Sequence, residues 1–140
     1  MLDGYADVSD YIVFDVRHKN QVPDTSFDIY ISSGGPGSPF DFEGDWDKAY
    51  FDLVEKLWRY NNDPSVENRK FVFFICHSFQ LACQFFKIGE IMQRRSKSFG
   101  TFPCFKTEEG SKEPLFDALP NPFALQIFVI GRSLMPMNKL

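Results

Sequence analysis

The alternation of apolar and polar positions divides this chain into strands and helices of distinct period. Tyr11-Ile12-Val13-Phe14-Asp15-Val16-Arg17 is β-branched and aromatic and predicts a strand. A polar connection from His18 to Thr25 leads to a second short strand, Asp28–Ser32. Asp45–Tyr60 carries the clearest helical period. Trp46, Ala49, Tyr50, Leu53, Val54, Leu57 and Trp58 form one stripe, and Asp47, Lys48, Asp52, Glu55, Lys56 and Arg59 cover the opposite face. Asn61-Asn62-Asp63-Pro64 closes that helix. Phe71-Val72-Phe73-Phe74-Ile75 is unbroken apolar sequence, which predicts a strand buried on both faces. After Cys76 the period becomes helical. Phe79, Ala82, Cys83 and Phe86 recur on one side, Leu81, Phe85 and Ile88 widen the stripe, and Gly89 offers a stop.

The later part of the chain is less regular. Arg94, Arg95 and Lys97 read as a solvated basic connector. Phe99–Thr107 predicts a strand, and Pro103 within it indicates an edge or hairpin strand. Glu108-Glu109-Gly110-Ser111 is a turn, and the proline-rich stretch from Pro114 to Pro122 allows only a turn or a short helical piece. Ala124–Ile130 predicts one more strand, after which Gly131–Leu140 trails off. Strands alternating with helices around one wholly apolar strand predict an α/β, three-layer domain with a mostly parallel sheet. Without a repeat or linker, residues 1–140 read as a single domain.

Composition narrows the class. The 140 residues include 17 Phe and are 44% hydrophobic, which promises ample material for a core. A net charge of −4 disfavours nucleic acid or an anionic membrane as a partner. No apolar run reaches the ~20 residues of a membrane span, and the acidic opening MLDGYADVSD is unlike a signal peptide. Three cysteines without C-x-x-C spacing suit a reducing, cytoplasmic setting, and two histidines (His18 and His77) make a histidine-rich metal site a poor expectation. Neither a metal nor a cofactor is expected.

Two places carry candidate chemistry. Cys76 sits where the apolar strand gives way to a helix, the elbow arrangement in which a nucleophile is exposed and faces backbone N–H groups. Such a setting favours the thiolate, the reactive form. A structural cysteine at a strand end fits the same stretch. The second place is Ser33-Gly34-Gly35-Pro36-Gly37-Ser38-Pro39, whose glycines permit close backbone approach to a ligand but which lacks either phosphate-loop signature. A plain tight turn fits it too. Both stretches fall at the carboxyl ends of expected strands, where ligands bind in α/β sheets. That coincidence favours a catalytic role for Cys76.

Together these stretches resemble the class I glutamine amidotransferase domain, of which the GMP synthase and anthranilate synthase glutaminases are members. The resemblance is carried by Ser32-Ser33-Gly34-Gly35-Pro36-Gly37-Ser38-Pro39, the helix that follows, and Ile75-Cys76-His77-Ser78-Phe79-Gln80-Leu81-Ala82. Ser98-Phe99-Gly100 is similar to an "EFG" segment, and Glu113-Pro114-Leu115-Phe116-Asp117-Ala118-Leu119-Pro120 to an "SPLFxGLP" stretch. The likeness spans about residues 11–123. It implies a flavodoxin-like fold and hydrolysis of glutamine to glutamate and ammonia through a Cys76 thioester. It further implies an oxyanion hole from the N–H groups of Gly35 and His77, with Gly34, Gln80, Ser98 and Phe99 on the substrate. A synthase partner subunit would receive the ammonia.

The departures shape the expectation. The family elbow is Gly-x-Cys-x-Gly, whereas Phe74 and Ser78 stand in the glycine places here. No His-x-Glu follows Cys76 to supply base and orienting acid. His77 points elsewhere from an elbow, and His18 reaches the site only by an unusual path. The chain reads as the middle of a glutaminase domain lacking both ends, so impaired turnover is expected. Two other readings stand beside it. One is a non-catalytic pseudoenzyme or fragment that acts as a binding module and self-associates through an exposed sheet edge. The other is a cysteine hydrolase of the γ-glutamyl or DJ-1/PfpI type.

Overall fold

The computed structural model describes residues 2–35 and 45–134, the side chains of 93–98 and 127–134 excepted. Pro36, Gly37, Ser38 and Pro39 of the glycine loop, the Ser98 side chain and residues 135–140 lie outside the described residues. The chain forms two compact units, Met1–Phe85 and Phe86–Leu140. Among the described residues it is mixed α/β, with one small parallel sheet, one antiparallel pair and three α-helices.

The first unit is built on a strand–helix–strand element. β1 (Ile29–Ser32) and β2 (Phe71–Phe74) run parallel, with Ile29 opposite Phe71, Tyr30 opposite Val72, Ile31 opposite Phe73 and Ser32 opposite Phe74. Parallel neighbours require a crossover; here it contains the 17-residue helix α2 (Trp46–Asn62). Of the expected stripe α2 buries Trp46, Tyr50, Leu53, Val54 and Leu57, whereas Ala49 is half-buried and Trp58 is exposed. Leu53 and Leu57 pack with Tyr30, flanked by Val22, Phe27 and Val72. Each such leucine contributes about 1.5–3 kcal/mol on burial. The Asn61 side chain joins the end of α2 to the start of β2. Its amide donates to the Lys70 carbonyl at 2.7 Å and accepts the Lys70 N–H at 2.8 Å.

Three expectations are corrected in this unit. Tyr11–Arg17 is not a strand. The short helix α1 (Val16–Lys19) begins there, because Asp15 caps it by accepting the His18 N–H and Asn20 ends it in the left-handed conformation. β2 is covered on one face only, since Phe71 and Phe73 stand 66% and 56% exposed beside Ile29 and Ile31. Alternation along a strand puts these four on the face away from Tyr30 and Val72. Third, α3 (His77–Phe85) buries His77, Ser78, Leu81, Ala82 and Cys83, while Phe79 of the expected stripe is exposed. The left-handed residue beyond α3 is Lys87, two positions before Gly89. Phenylalanine also proves to be a minor core material. Among the described residues, the buried apolar side chains are Tyr30, Trp46, Tyr50, Leu53, Val54, Leu57, Leu81, Ala82 and Cys83.

The second unit is an antiparallel ribbon of β3 (Glu90–Cys104) and β4 (Phe123–Leu134). The expected strand Ala124–Ile130 lies within β4, whereas Phe99–Thr107 only overlaps β3, which begins earlier, at Glu90, and ends at Cys104. Arg94, Arg95 and Lys97 are therefore strand residues rather than a connector. They fall where the ladder is interrupted between Gln93 and Ser98. The connection from β3 to β4 holds two short 3₁₀ turns, Gly110–Lys112 and Pro114–Phe116, in keeping with its proline content.

Candidate functional site

The turn from β2 into α3 has the geometry of a nucleophile elbow. Cys76 is exposed, and its backbone is left-handed at φ 56°, a conformation that costs an L-residue about 1–2 kcal/mol. Strain of that kind persists where surrounding structure over-determines it. Ser78 supplies part of that structure. Its hydroxyl accepts the Ile75 N–H at 2.9 Å and donates to the Ser32 carbonyl at 2.6 Å, with the Ile75 carbonyl at 3.0 Å as the alternative acceptor. The Ile75 N–H also meets the Ser32 carbonyl at 2.9 Å. A serine in the second glycine place thus ties the first turn of α3 to the end of β1. Tyr50 of α2 joins the same group through a 2.9 Å bond between its hydroxyl and that of Ser32. Burial pushes the Tyr50 hydroxyl pKa above its usual value of 10, against the opposing effect of its bonds to Ser32 and Ser78.

The glycine loop and the elbow meet. A Cβ on Gly34 would stand 2.8 Å from Cys76 Cβ, 3.3 Å from the Ile75 carbonyl oxygen and 3.4 Å from Cys76 Sγ. Only a residue without a side chain fits there without movement of the elbow. Gly35 faces a different neighbour, since its Cβ would meet a terminal nitrogen of Arg17 at 3.2 Å. Arg17 lies over the Trp46 ring, 5.3 Å from its centroid. Neither Arg17 nor the Ser32–Tyr50–Ser78 group is marked in the sequence, because the partners are far apart along the chain. The one local signal is Asp15 three residues before His18, a capping spacing that sets up α1.

The remaining expected site residues divide by unit. His77 opens α3, so its N–H belongs to the first turn, where a helix offers no internal acceptor. Its side chain is buried, and Nε2 has no hydrogen-bond partner among the described residues. Gln80 lies one turn along α3 and its N–H bonds to the Cys76 carbonyl at 3.2 Å. His18 is exposed on α1. Ser98 and Phe99 belong to β3, where they pair with Val129 and Phe128, and the Phe99 side chain is exposed. Among the described residues no cluster of His, Cys, Asp or Glu could hold a metal ion, and no helix is long and apolar enough to cross a membrane. Compared with protein-family models, curated proteins and solved structures, the chain matches none.

Proposed function

We propose that this chain is a class I glutamine amidotransferase-like domain, of flavodoxin-like three-layer descent, in which Cys76 is the nucleophile that opens the side-chain amide of glutamine. The observation that carries this reading is the contact between Gly34 and a left-handed, exposed Cys76 at a strand-to-helix turn. The thiolate sulfur would bond to the amide carbon, ammonia would leave, and water would cleave the γ-glutamyl thioester to glutamate. The His77 and Gly35 N–H groups are the proposed donors to the intermediate oxyanion, and one such donor is typically worth ~3 kcal/mol of barrier. Gln80 and Gly34 would contact the substrate. Without a His-x-Glu after Cys76, the general acid–base contribution of ~10²–10⁴-fold is missing, so turnover is expected to be slow.

The test is covalent trapping beside turnover. Diazo-oxo-norleucine, a glutamine analogue, is expected to label Cys76 at neutral pH and to leave Cys76→Ala unlabelled. Ammonia release from glutamine is expected to be low and to vanish in the same variant. Absence of label on folded protein, or label that survives the substitution, rejects the reading. γ-Glutamyl peptides assayed beside free glutamine separate it from a hydrolase of the γ-glutamyl or DJ-1/PfpI type.

The uncovered face of β1 and β2 favours a second reading, an interaction module that self-associates. Ile29, Ile31, Phe71 and Phe73 form an exposed apolar face on a parallel pair. Parallel strands are ordinarily covered on both sides.

A further inference from the structure

A strand without a sheet and sheet edges without a strand occur in the same molecule. Residues 3–13 are exposed throughout, although Tyr5, Val8, Tyr11, Ile12 and Val13 are among them. Tyr11, Ile12 and Val13 have the side chains of a strand, yet the backbone groups of Asp10 to Val13 make no hydrogen bond among the described residues. A segment of that kind adds to a free sheet edge through main-chain hydrogen bonds. Charge decides which edge. The segment contains Asp3, Asp7 and Asp10 and no cation, a net charge of −3. At the β1–β2 pair one strand is preceded by Asp28, and the backbone before the other, at Lys70, is taken up by the Asn61 side chain. The β3–β4 ribbon differs. The chain is −4 as a whole, but this ribbon holds Arg94, Arg95, Lys97 and Arg132 against Glu90 alone, a net charge of +3. Three of those cations lie on β3 between Gln93 and Ser98, where its ladder to β4 is interrupted.

We propose that Asp7–Val13 of one copy adds to the outer edge of β3 in a second copy as a third, parallel strand, each copy giving one such strand and receiving one. The order of residues sets the direction. In the segment, Asp7 and Asp10 precede Tyr11-Ile12-Val13, and in β3 the cations precede the stretch from Phe99 to Phe102, which is exposed at Phe102. Only a parallel addition matches acid to base and apolar to apolar at once. The segment is uncovered in its own chain, so the pairing is between chains. Reciprocal exchange closes a two-fold dimer. The assignment deepens the self-association reading and rests on it, through other residues than the open face of β1 and β2.

Charge exchange between copies tests the pairing on the full chain, with sedimentation as the readout. The unaltered protein is expected to dimerise, and salt should weaken the dimer by screening the charges. Asp7→Lys with Asp10→Lys reverses the segment, and Arg94→Glu with Arg95→Glu reverses the ribbon. Each variant alone sets like charges against each other and should dimerise about tenfold more weakly, the order expected of a few exposed charge pairs. An equal mixture of the two variants restores both contacts in the mixed dimer and should associate as tightly as the parent. Ile12→Pro with Val13→Pro removes a strand donor in either register and should weaken the dimer at least as much. Neither of those N–H groups has a partner among the described residues, so the fold does not depend on them, as far-UV circular dichroism would verify.

Weakening in each charge variant without recovery on mixing would mean that the two sets of charges do not face each other across copies. Recovery on mixing with a dimer indifferent to the prolines would mean that they meet without strand pairing. Either overturns the proposal. A dimer that ignores the charge and proline variants but is weakened by Phe73→Lys rejects the exchange and keeps association through the β1–β2 face. A monomer at every concentration rejects both.

Discussion

Adjacent glycines at positions 34 and 35 have different tasks, and substitution separates them. A methyl group on Gly34 would sit 2.8 Å from Cys76 Cβ and 3.3 Å from a backbone oxygen, neither of which can yield without moving the elbow. Gly34→Ala is expected to destabilise the first unit by about 1–3 kcal/mol, as overpacking does, and to slow labelling of Cys76. A methyl on Gly35 meets only the flexible end of Arg17 at 3.2 Å. Gly35→Ala should stay within about 0.5 kcal/mol of the parent. Equal losses for the two in urea unfolding would contradict the contact between loop and elbow. Cys76 offers a complementary test. Glycine relieves the left-handed strain at φ 56° but adds freedom to the unfolded chain, so Cys76→Gly should gain roughly 0.5–1 kcal/mol while abolishing thiol chemistry. A less stable Cys76→Gly would show that the thiol itself holds the turn. The positions of Cys76 and the two glycines were legible in the sequence, because a change of period and a glycine run are local signals. Arg17 was not, since its approach to Gly35 and Trp46 depends on α1, where the chain order shows only a β-rich stretch.

Elements were legible where an apolar pattern coincided with a covering partner. The stripe of α2 is complete in the sequence, and β1 and β2 were found at their places because their apolar runs are short and bounded. Tyr11–Arg17 misled because β-propensity expresses packing on a sheet, and no neighbouring strand is offered there among the described residues. Tyr11, Ile12 and Val13 remain exposed, and the capping power of Asp15 decides the local structure instead. Three elements are joined at the site by Ser32 of β1, Tyr50 of α2 and Ser78 of α3. This joint has a pH dependence whose sign follows from burial. The Tyr50 pKa is raised in the folded protein above its ordinary value of 10. The stability contributed by the neutral hydroxyl is therefore complete below pH 10 and is lost as pH rises through the higher folded value. Tyr50→Phe should cost about 0.5–1.5 kcal/mol at neutral pH and flatten the alkaline loss of stability. An alkaline transition of unchanged steepness in Tyr50→Phe would assign that loss to another group.

At the scale of the whole molecule, apolar material is unevenly used. Among the described residues the buried side chains all belong to the first unit, whereas Phe71, Phe73, Phe99, Phe102, Phe105 and Phe116 are exposed. On the β1–β2 pair the exposed apolar positions are in register, Ile29 with Phe71 and Ile31 with Phe73, so they form a face rather than scattered contacts. Among the described residues each strand of this two-stranded sheet also has an unpaired edge, which invites pairing with another chain. A second copy presenting the same face is the simplest cover, because a two-fold interface needs only one self-complementary patch. The protein is then expected to sediment as a concentration-dependent mixture of monomer and dimer. Phe73→Lys, on an exposed position that should change folding stability by no more than about 0.5 kcal/mol, should weaken that dimer at least tenfold, or ~1.4 kcal/mol. Gly35→Ala, at the glycine loop, should leave it unchanged. A monomer at every concentration, or a dimer indifferent to Phe73→Lys, would remove the case for self-association through this face and leave Cys76 chemistry as the reading to pursue.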